Sequence, residues 1–305
     1  MLDFVTWNVD PVIFQIPGVG LEVRWYGLMW AIGLFFCWWL CKWMYKRENC
    51  PPEWIDQLFF WIAVGTIVGA RLGHCFFYEW HDGHNPYLTQ PWNLLKIWEG
   101  GLASHGGAIG IIVAAWLLNK KKFSRYPQYQ TSWLWIVDRI CVGACITGAL
   151  IRFGNLMNSE IYGYPTSMPW GFVFELDKDT PKDATTGEAL PCHPTQIYEM
   201  MYCLLTFAIL FPLYLKTNAR RREGLLLGIF LTIVFTIRFL LEFIKLDQSE
   251  FENGQLLNMG QILSIPFVLL GIFLIIRAFR RPLSPVVDKV PKSLEKNYQE
   301  KKVKG

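Results

Sequence analysis

Long apolar runs constrain this chain more than any other feature of its sequence. Most of them are close to the ~20 residues that an α-helix needs to cross the hydrocarbon of a bilayer. The chain is 52% hydrophobic and 18% charged over 305 residues, which is too apolar for a soluble domain of this length. We therefore predict an all-α polytopic membrane protein with about seven transmembrane helices. The runs are residues 25–45, 54–78, 102–119, 132–153, 196–215, 224–244 and 260–279.

Lysine and arginine are distributed unevenly between the connections. One set of connections holds the basic clusters at positions 42–47, 120–125, 216–222 and 277–281, whereas the opposite set holds few basic residues. By the positive-inside rule, the N-terminus is expected in the periplasm and the C-terminus in the cytoplasm. The first run has no small-residue cleavage site, so we expect it to remain a membrane helix. The net charge of +4 then reflects topology and gives no reason to expect nucleic acid.

The chain reads as one transmembrane domain, residues 1–279, followed by a basic tail. The tail, residues 280–305, is rich in Lys and Pro and is predicted to be disordered in the cytoplasm. The longest outer connection, residues 158–195, is rich in Gly, Pro and Asp and contains the candidate strand WGFVFEL. We expect it to form a small periplasmic cap, which either guides a substrate or is a passive loop.

Polar side chains appear abruptly at the end of the fourth run, where Arg152, Asn155, Asn158 and Glu160 fall within nine residues. If this helix starts near Ser132 at the inner face, twenty residues advance it by ~30 Å. Arg152 is therefore expected at the outer boundary of the hydrocarbon.

Two further residues are expected near that level. Arg238 lies ~21 Å across the membrane if the sixth helix starts near residue 224, and Glu242, four residues later, can pair with it. His105 opens the third run, and Gly106 and Gly107 after it permit a non-helical backbone close to a ligand. We predict that Arg152, Arg238 and His105 converge.

Charged groups inside a bilayer are costly and either pair with one another or line a functional cavity. For Arg139 beside Asp138, structural pairing is the preferred interpretation, and for Arg71 both interpretations stand. For Arg152 and Arg238 we favour function, because pairing alone does not explain the amides at the same depth. Guanidinium groups bind phosphate in a bidentate manner, so an anionic phospholipid head group fits.

Six short blocks of the sequence give the chain a resemblance to a known family. It resembles the bacterial prolipoprotein diacylglyceryl transferases over nearly its whole length. The matching blocks are RWYGLM (24–29), WEGGLASHGG (98–107), RFGNLMNSEIYG (152–163), HPTQIYE (193–199), RFLLEF (238–243) and MGQILSIP (259–266).

The resemblance implies an inner-membrane enzyme with its active site toward the outer leaflet and no cofactor. Its partners would be membrane lipid, phosphatidylglycerol and a prolipoprotein signal peptide with a lipobox cysteine. It would transfer the diacylglyceryl group of the lipid to the cysteine thiol, form a thioether and release glycerol 1-phosphate.

The resemblance also implies roles for single residues. His105 would deprotonate or orient the thiol, with a backbone-bonded helix-entrance histidine as the alternative. Arg152 and Arg238 would clamp the phosphate and stabilise its developing charge. Asn155 would hold the glycerol phosphate, and Glu160 would orient Arg152 or bind a hydroxyl.

Other residues of the blocks have two open interpretations. Tyr26 is either a lipid contact or an interfacial anchor. Asn158 either belongs to the site or caps local backbone, and His193 is better explained by a proline-flanked turn. The supporting positions are Gly106, Gly107, Gly154, Glu242, Asn158 and His193.

Four positions depart from the family pattern. Ile151 stands where glycine is usual and Leu156 where phenylalanine is common. Val234 replaces a tyrosine and Lys245 replaces an arginine, which puts secondary roles at these two positions in doubt.

Other chemistries find little support in the sequence. His74, His81, His84 and Asp82 match no zinc spacing, so no metal is predicted. Most of the eight cysteines lie in or beside apolar helices and are expected to be small hydrophobes, whereas Cys192 lies in a polar segment and could be a free thiol. The competing functions are an anionic-solute transporter or channel and a noncatalytic phospholipid-binding scaffold.

Overall fold

Helices account for most of the chain in the computed structural model, which describes residues 4–18, 22–51, 53–77, 90–95, 104–121, 132–246 and 257–286. Each predicted run coincides with a helix in the described part. These helices are α1 (Trp25–Arg47), α2 (Glu53–Phe77), α3 (Ser104–Lys121), α4 (Trp133–Met157), α5 (Thr195–Lys216), α6 (Leu225–Leu241) and α7 (Met259–Arg280). Short 3-10 helices lie at Pro91–Leu95, Asn218–Arg221 and Glu242–Ile244.

Six of these helices are long and apolar enough to cross a membrane, and α3 contributes a shorter apolar stretch, Ile109–Lys120. Large apolar side chains are widely exposed, including Phe35 on α1 at 63% and Leu269 on α7 at 62%. Such exposure is expected where lipid replaces water as the solvent. The prediction of an all-α polytopic membrane protein with about seven helices is confirmed.

The chain forms two compact units, one of residues 1–40 with 137–283 and one of residues 41–136 with 284–305. In the second unit, glycines spaced four residues apart bring α2 and α3 together. A Cβ added at Gly106 would meet the Gly69 carbonyl oxygen, and one at Gly110 would meet that of Gly65. The backbone after His105 is helical, although the glycines led us to expect an irregular backbone there. Gly106 instead lets α3 approach α2 closely. Gly107 makes ordinary contact with Thr66 and Ala70 on the same helix.

Two of the buried arginines have structural partners. Arg139 donates to the Arg220 carbonyl oxygen at 2.6 Å and lies 4.0 Å from Asp138. The carboxylate of Asp138 in turn accepts hydrogen bonds from the backbone N–H groups of Gly224 and Leu227. It therefore caps the start of α6. Arg71 donates to the carbonyl oxygens of the 3-10 helix Pro91–Leu95 in the second unit. Structural pairing thus accounts for both.

The connection 158–195, which we call the cap, folds together with the N-terminal segment. The predicted strand is present as Phe172–Phe174 (β4), and it pairs in parallel with Val5–Trp7 (β1). Tyr162 stacks on Phe174 at 4.6 Å between ring centroids, beside Leu156 and Cys192. Cys192 is a free thiol but is fully buried, and burial raises its pKa to about 11. A separate hairpin pairs Val12–Gln15 (β2) with Glu22–Arg24 (β3).

The cap segment around Gly163 joins the ends of three helices. The Gly163 N–H donates to the His193 carbonyl oxygen before α5, and the next N–H, of Tyr164, donates to the Ile244 carbonyl oxygen after α6. A Cβ at Gly163 would meet the Ile244 carbonyl oxygen and lie 2.9 Å from the His193 Cβ, so only glycine fits. The end of α4, the start of α5 and the end of α6 are therefore held in one place.

Candidate anion-binding site

Arg152, near the end of α4, contacts an acidic residue that we did not select from the sequence. Its Nε is 2.6 Å from Oε2 of Glu199 on α5. This contact is a charge pair rather than a hydrogen bond, since Oε2 accepts no hydrogen bond from the described residues. The Arg152 Nη1 donates to Oδ1 of Asn155 at 3.1 Å. Asn155 thus orients the guanidinium from one side and Glu199 from the other.

The loop after α4 is built around Glu160. Its Oε1 accepts hydrogen bonds from Nδ2 of Asn155 at 2.8 Å and Nδ2 of Asn158 at 3.3 Å, and its carbonyl oxygen accepts one from Gln196 on α5. Glu160 therefore acts on Arg152 through Asn155. Both amides share this carboxylate, which places Asn158 in the polar network.

The backbone of this loop is strained. Ser159 and Ile161 have φ angles of 54° and 64°, in the left-handed region that is costly for side chains with a Cβ. The Ile161 carbonyl oxygen accepts a hydrogen bond from the Thr195 hydroxyl at 2.8 Å, which helps to hold this conformation. The loop is thus fixed in a rare shape that turns its amides toward Glu160.

A second arginine is joined to the first through three charged residues. The Arg238 Nε lies 3.6 Å from Oε1 of Glu242, one turn later, as predicted. The Lys245 Nζ lies 3.7 Å from that same oxygen and 3.4 Å from Oε1 of Glu199. We call Arg152, Glu199, Lys245, Glu242 and Arg238 the charge array. Signs alternate along it, so each carboxylate lies between two cations.

The start of α7 supports the Glu242 end of the array. The Asn258 Nδ2 donates to Oε2 of Glu242 at 3.3 Å while its own side chain caps α7 with Gln261. A Cβ at Gly260 would lie 2.5 Å from the Glu242 Cδ. Asn258 thus supplies the cap, and the block MGQILSIP supplies its capping partner Gln261 and, at Gly260, the space for the carboxylate.

The members of the charge array differ in exposure. Glu199 and Lys245 have side chains that are 1% and 4% exposed, whereas Arg152 and Arg238 are 20% and 35% exposed. Within the described part of the chain, Nη2 of Arg152 and both Nη atoms of Arg238 have no hydrogen-bond partner. The array therefore keeps its supporting groups buried and presents guanidinium N–H groups that can bind an anion.

The remaining predicted residues fall into three groups. Tyr26 packs on Gly154, where an added Cβ would lie 3.0 Å from the Tyr26 Cα, so it lies beside the helix that carries Arg152. His193 is in the turn before α5, with Nδ1 3.2 Å from the Tyr198 hydroxyl, as expected for a structural turn. His105 begins α3, but its side chain lies outside the described residues, as do His81, Asp82, His84 and the tail beyond residue 286.

Glu199 and Lys245 were the functional candidates that the sequence analysis missed. Glu199 ends the block HPTQIYE and is an isolated carboxylate inside an apolar run, which was the available signal for a buried cation partner. Lys245 stands where the family pattern has an arginine, a replacement that puts a secondary role in doubt in the sequence. In the structure Lys245 is buried and bridges two carboxylates.

The fold and the charge array define a polytopic membrane protein with two accessible guanidiniums near the ends of its helices. The family model for prolipoprotein diacylglyceryl transferase matches residues 11–277. Proteins named phosphatidylglycerol–prolipoprotein diacylglyceryl transferase are similar throughout. One from Porphyromonas gingivalis is 45% identical over 92% of this chain and 97% of its own, and one from Tolumonas auensis is 41% identical over 88% and 96%. The chain belongs to the prolipoprotein diacylglyceryl transferase family and is a transferase.

Proposed function

We propose that this protein transfers the diacylglyceryl group of phosphatidylglycerol to the lipobox cysteine thiol of a prolipoprotein signal peptide. The product is a thioether, and glycerol 1-phosphate is released. The observation that carries the proposal is the charge array, in which Arg152 and Arg238 offer guanidinium N–H groups that have no partner among the described residues. Their counter-ions Glu199 and Glu242 are only 1% and 9% exposed. The names of the similar proteins specify the same two substrates.

The chemistry requires a deprotonated sulfur and a stabilised leaving group. The thiolate sulfur forms a bond to the glyceryl carbon as that carbon's bond to the phosphate oxygen breaks. The electron pair of the broken C–O bond goes to the phosphate oxygen, so negative charge grows there. Arg152 and Arg238 stabilise this charge, and the thiol proton goes to a base, for which His105 is the candidate.

The polar network around Glu160 suits the other end of the lipid head group. Asn155 is buried and already aligned by Arg152 and Glu160, so small shifts of its amide let it hold glycerol phosphate oxygens. Tyr26, on α1 beside Gly154, provides a phenol next to the helix that carries Asn155. We assign both to lipid binding, with Glu160 as the acceptor that fixes the amides.

The proposed setting is the bacterial inner membrane. The distribution of basic residues supports a periplasmic N-terminus, a cytoplasmic C-terminus and a site facing the outer leaflet. In this orientation the cap covers the outer ends of α4, α5 and α6, and the signal peptide approaches laterally through lipid beneath it. The basic tail then lies in the cytoplasm.

One assay separates this function from the two alternatives. The purified protein is mixed with phosphatidylglycerol and a lipobox peptide, and mass spectrometry is used to detect a diacylglyceryl thioether. A transporter or a lipid-binding scaffold gives no adduct, whereas the transferase does. Arg238→Gln should abolish the adduct, and Arg47→Gln, an exposed arginine at the far end of α1, is the matched control. Absence of an adduct with the wild-type protein, where a known transferase gives one, removes the proposal.

A further inference from the structure

Tyr202 lies directly beside the charge array but belongs to none of its ion pairs. It is on α5, three residues after Glu199, and is only 6% exposed. It belongs to a buried cluster with Ala149 on α4, against which Val234, Ile237 and Leu241 of α6 pack. Ala149 precedes Arg152 by three residues and Ile237 precedes Arg238 by one, so this cluster includes positions within one turn of both arginines.

The direction of the side chain brings its hydroxyl toward the charges. Side chains on a helix lean toward its N-terminus, which from Tyr202 is toward the turn that carries Glu199. Glu199 is one turn earlier on α5, and Arg152 and Arg238 lie within one turn of cluster members on the other two helices. The aromatic body is thus part of an apolar cluster, and the side chain leans toward the array.

The hydroxyl of Tyr202 has no hydrogen-bond partner among the described residues, and it is not one of the unpartnered polar atoms that are sealed from the surface. A phenol with an apolar body and a polar tip normally uses its hydroxyl in a hydrogen bond. Val234, which packs against the same cluster from α6, is apolar and cannot accept one. A phenylalanine would pack equally well at this position, so packing does not explain the hydroxyl. The hydroxyl is available to bind a ligand.

We propose that the Tyr202 hydroxyl is a third donor of the anion site and donates a hydrogen bond to a phosphate oxygen of the lipid bound by Arg152 and Arg238. This inference rests on the proposed function for the identity of the lipid. The Glu199 carboxylate nearby repels an anion. A neutral O–H group suits this position, because it donates a hydrogen bond to the phosphate and needs no counter-ion of its own. Tyr202 is therefore a substrate-binding residue of this chain.

The test is Tyr202→Phe, which keeps the ring and removes only the donor. Tyr214→Phe, a change at a fully buried tyrosine near the other end of α5, is the matched control. We expect the kcat/KM for phosphatidylglycerol to fall about tenfold in Tyr202→Phe, the loss typical of one hydrogen bond to a charged group. Retention of phosphatidylglycerol over phosphatidylcholine, measured by native mass spectrometry, should fall with it, and the melting temperature should stay at the wild-type value.

The outcomes are distinct. A kcat/KM within twofold of wild type, or an equal loss in Tyr214→Phe, overturns the assignment of Tyr202. If the wild-type protein forms no thioether, the proposed function fails instead. The lipid-retention measurement then still decides whether the hydroxyl binds an anionic head group, since unchanged retention in Tyr202→Phe rejects it.

Discussion

Lys245 and Glu199 are buried together, with Nζ and Oε1 3.4 Å apart, although they lie 46 residues apart on different segments. Moving either charge out of water is costly unless a partner compensates it. Glu199 also holds Arg152, and Lys245 also contacts Glu242. The pair therefore links the two arginines electrostatically, and a change at one end is expected to reach the other.

Removal of the lysine charge should destabilise the array. Lys245→Met leaves two carboxylates with one cation fewer, and we expect it to lower the free energy of unfolding by ~3 kcal/mol or more. Lys245→Arg keeps the charge and should stay close to wild type. Thermal denaturation in detergent, with turnover measured in parallel, checks both variants. Equal stability of Lys245→Met and Lys245→Arg would show that the ion pairs contribute nothing.

Arg152→Lys tests the guanidinium itself. Lysine keeps the positive charge but loses the planar fork that binds phosphate through two N–H groups. We expect insertion into the membrane to be unaffected and turnover to fall about 10- to 100-fold, from the loss of one charge-assisted hydrogen bond or more. Thioether formation by the purified variant is the measurement. Full activity of the lysine variant is incompatible with a bidentate contact.

Gly260→Ala tests the space beside Glu242. The new Cβ would lie 2.5 Å from Cδ and 2.6 Å from Oε1 of that carboxylate, which must move away from Arg238 or Lys245. We expect a clear loss of turnover, measured as kcat/KM for phosphatidylglycerol. Gly27→Ala is the control, because its added Cβ meets no atom of another described segment within 4 Å. If both alanine variants behave alike, the position of the Glu242 carboxylate does not matter.

His105→Gln tests the proposed base. Glutamine preserves hydrogen bonding but cannot take up a proton in this pH range, so the rate should fall about 100-fold or more. The pH dependence of kcat/KM should also lose the limb near the histidine pKa. An unchanged rate at every pH would mean that His105 moves no proton and only orients its neighbours.

The cap should be sensitive to acid through His193. Burial lowers the pKa of His193 below its usual 6.5, so as the pH falls below about 6.5 the unfolded state binds a proton before the folded state does. Stability is therefore full above this pH and is lost as the pH falls toward the folded-state pKa. His193→Gln should reduce this loss in thermal melts from pH 7.5 to 5. Parallel pH curves for both proteins would contradict the prediction.

The sequence predicts the helices of this protein well because each is a long apolar run with its own signal. It also indicates Arg152, Arg238, Glu242, Asn155 and Glu160, since polar groups at that depth are conspicuous. Their pairing was less predictable. Helix spacing identified Glu242 as a partner of Arg238, but Arg152 pairs with Glu199 from another helix, a contact that depends on tertiary packing.

The cap shows the same limit. The strand Phe172–Phe174 could be predicted from its own residues, but its partner at Val5–Trp7 could not, because the pairing joins distant parts of the chain. Likewise, Lys245 is buried where the Gly163 segment passes beside it, and no local sequence pattern shows this neighbour.

The pairing of the first strand with the fourth also sets an order for biogenesis. The Trp7 indole N–H donates to the Leu156 carbonyl oxygen across 149 positions, so the N-terminal segment cannot form this contact until four helices have been synthesised. A fusion that anchors or shields the first ten residues is therefore expected to harm the maturation of the far end of the molecule, even though it touches none of the helices.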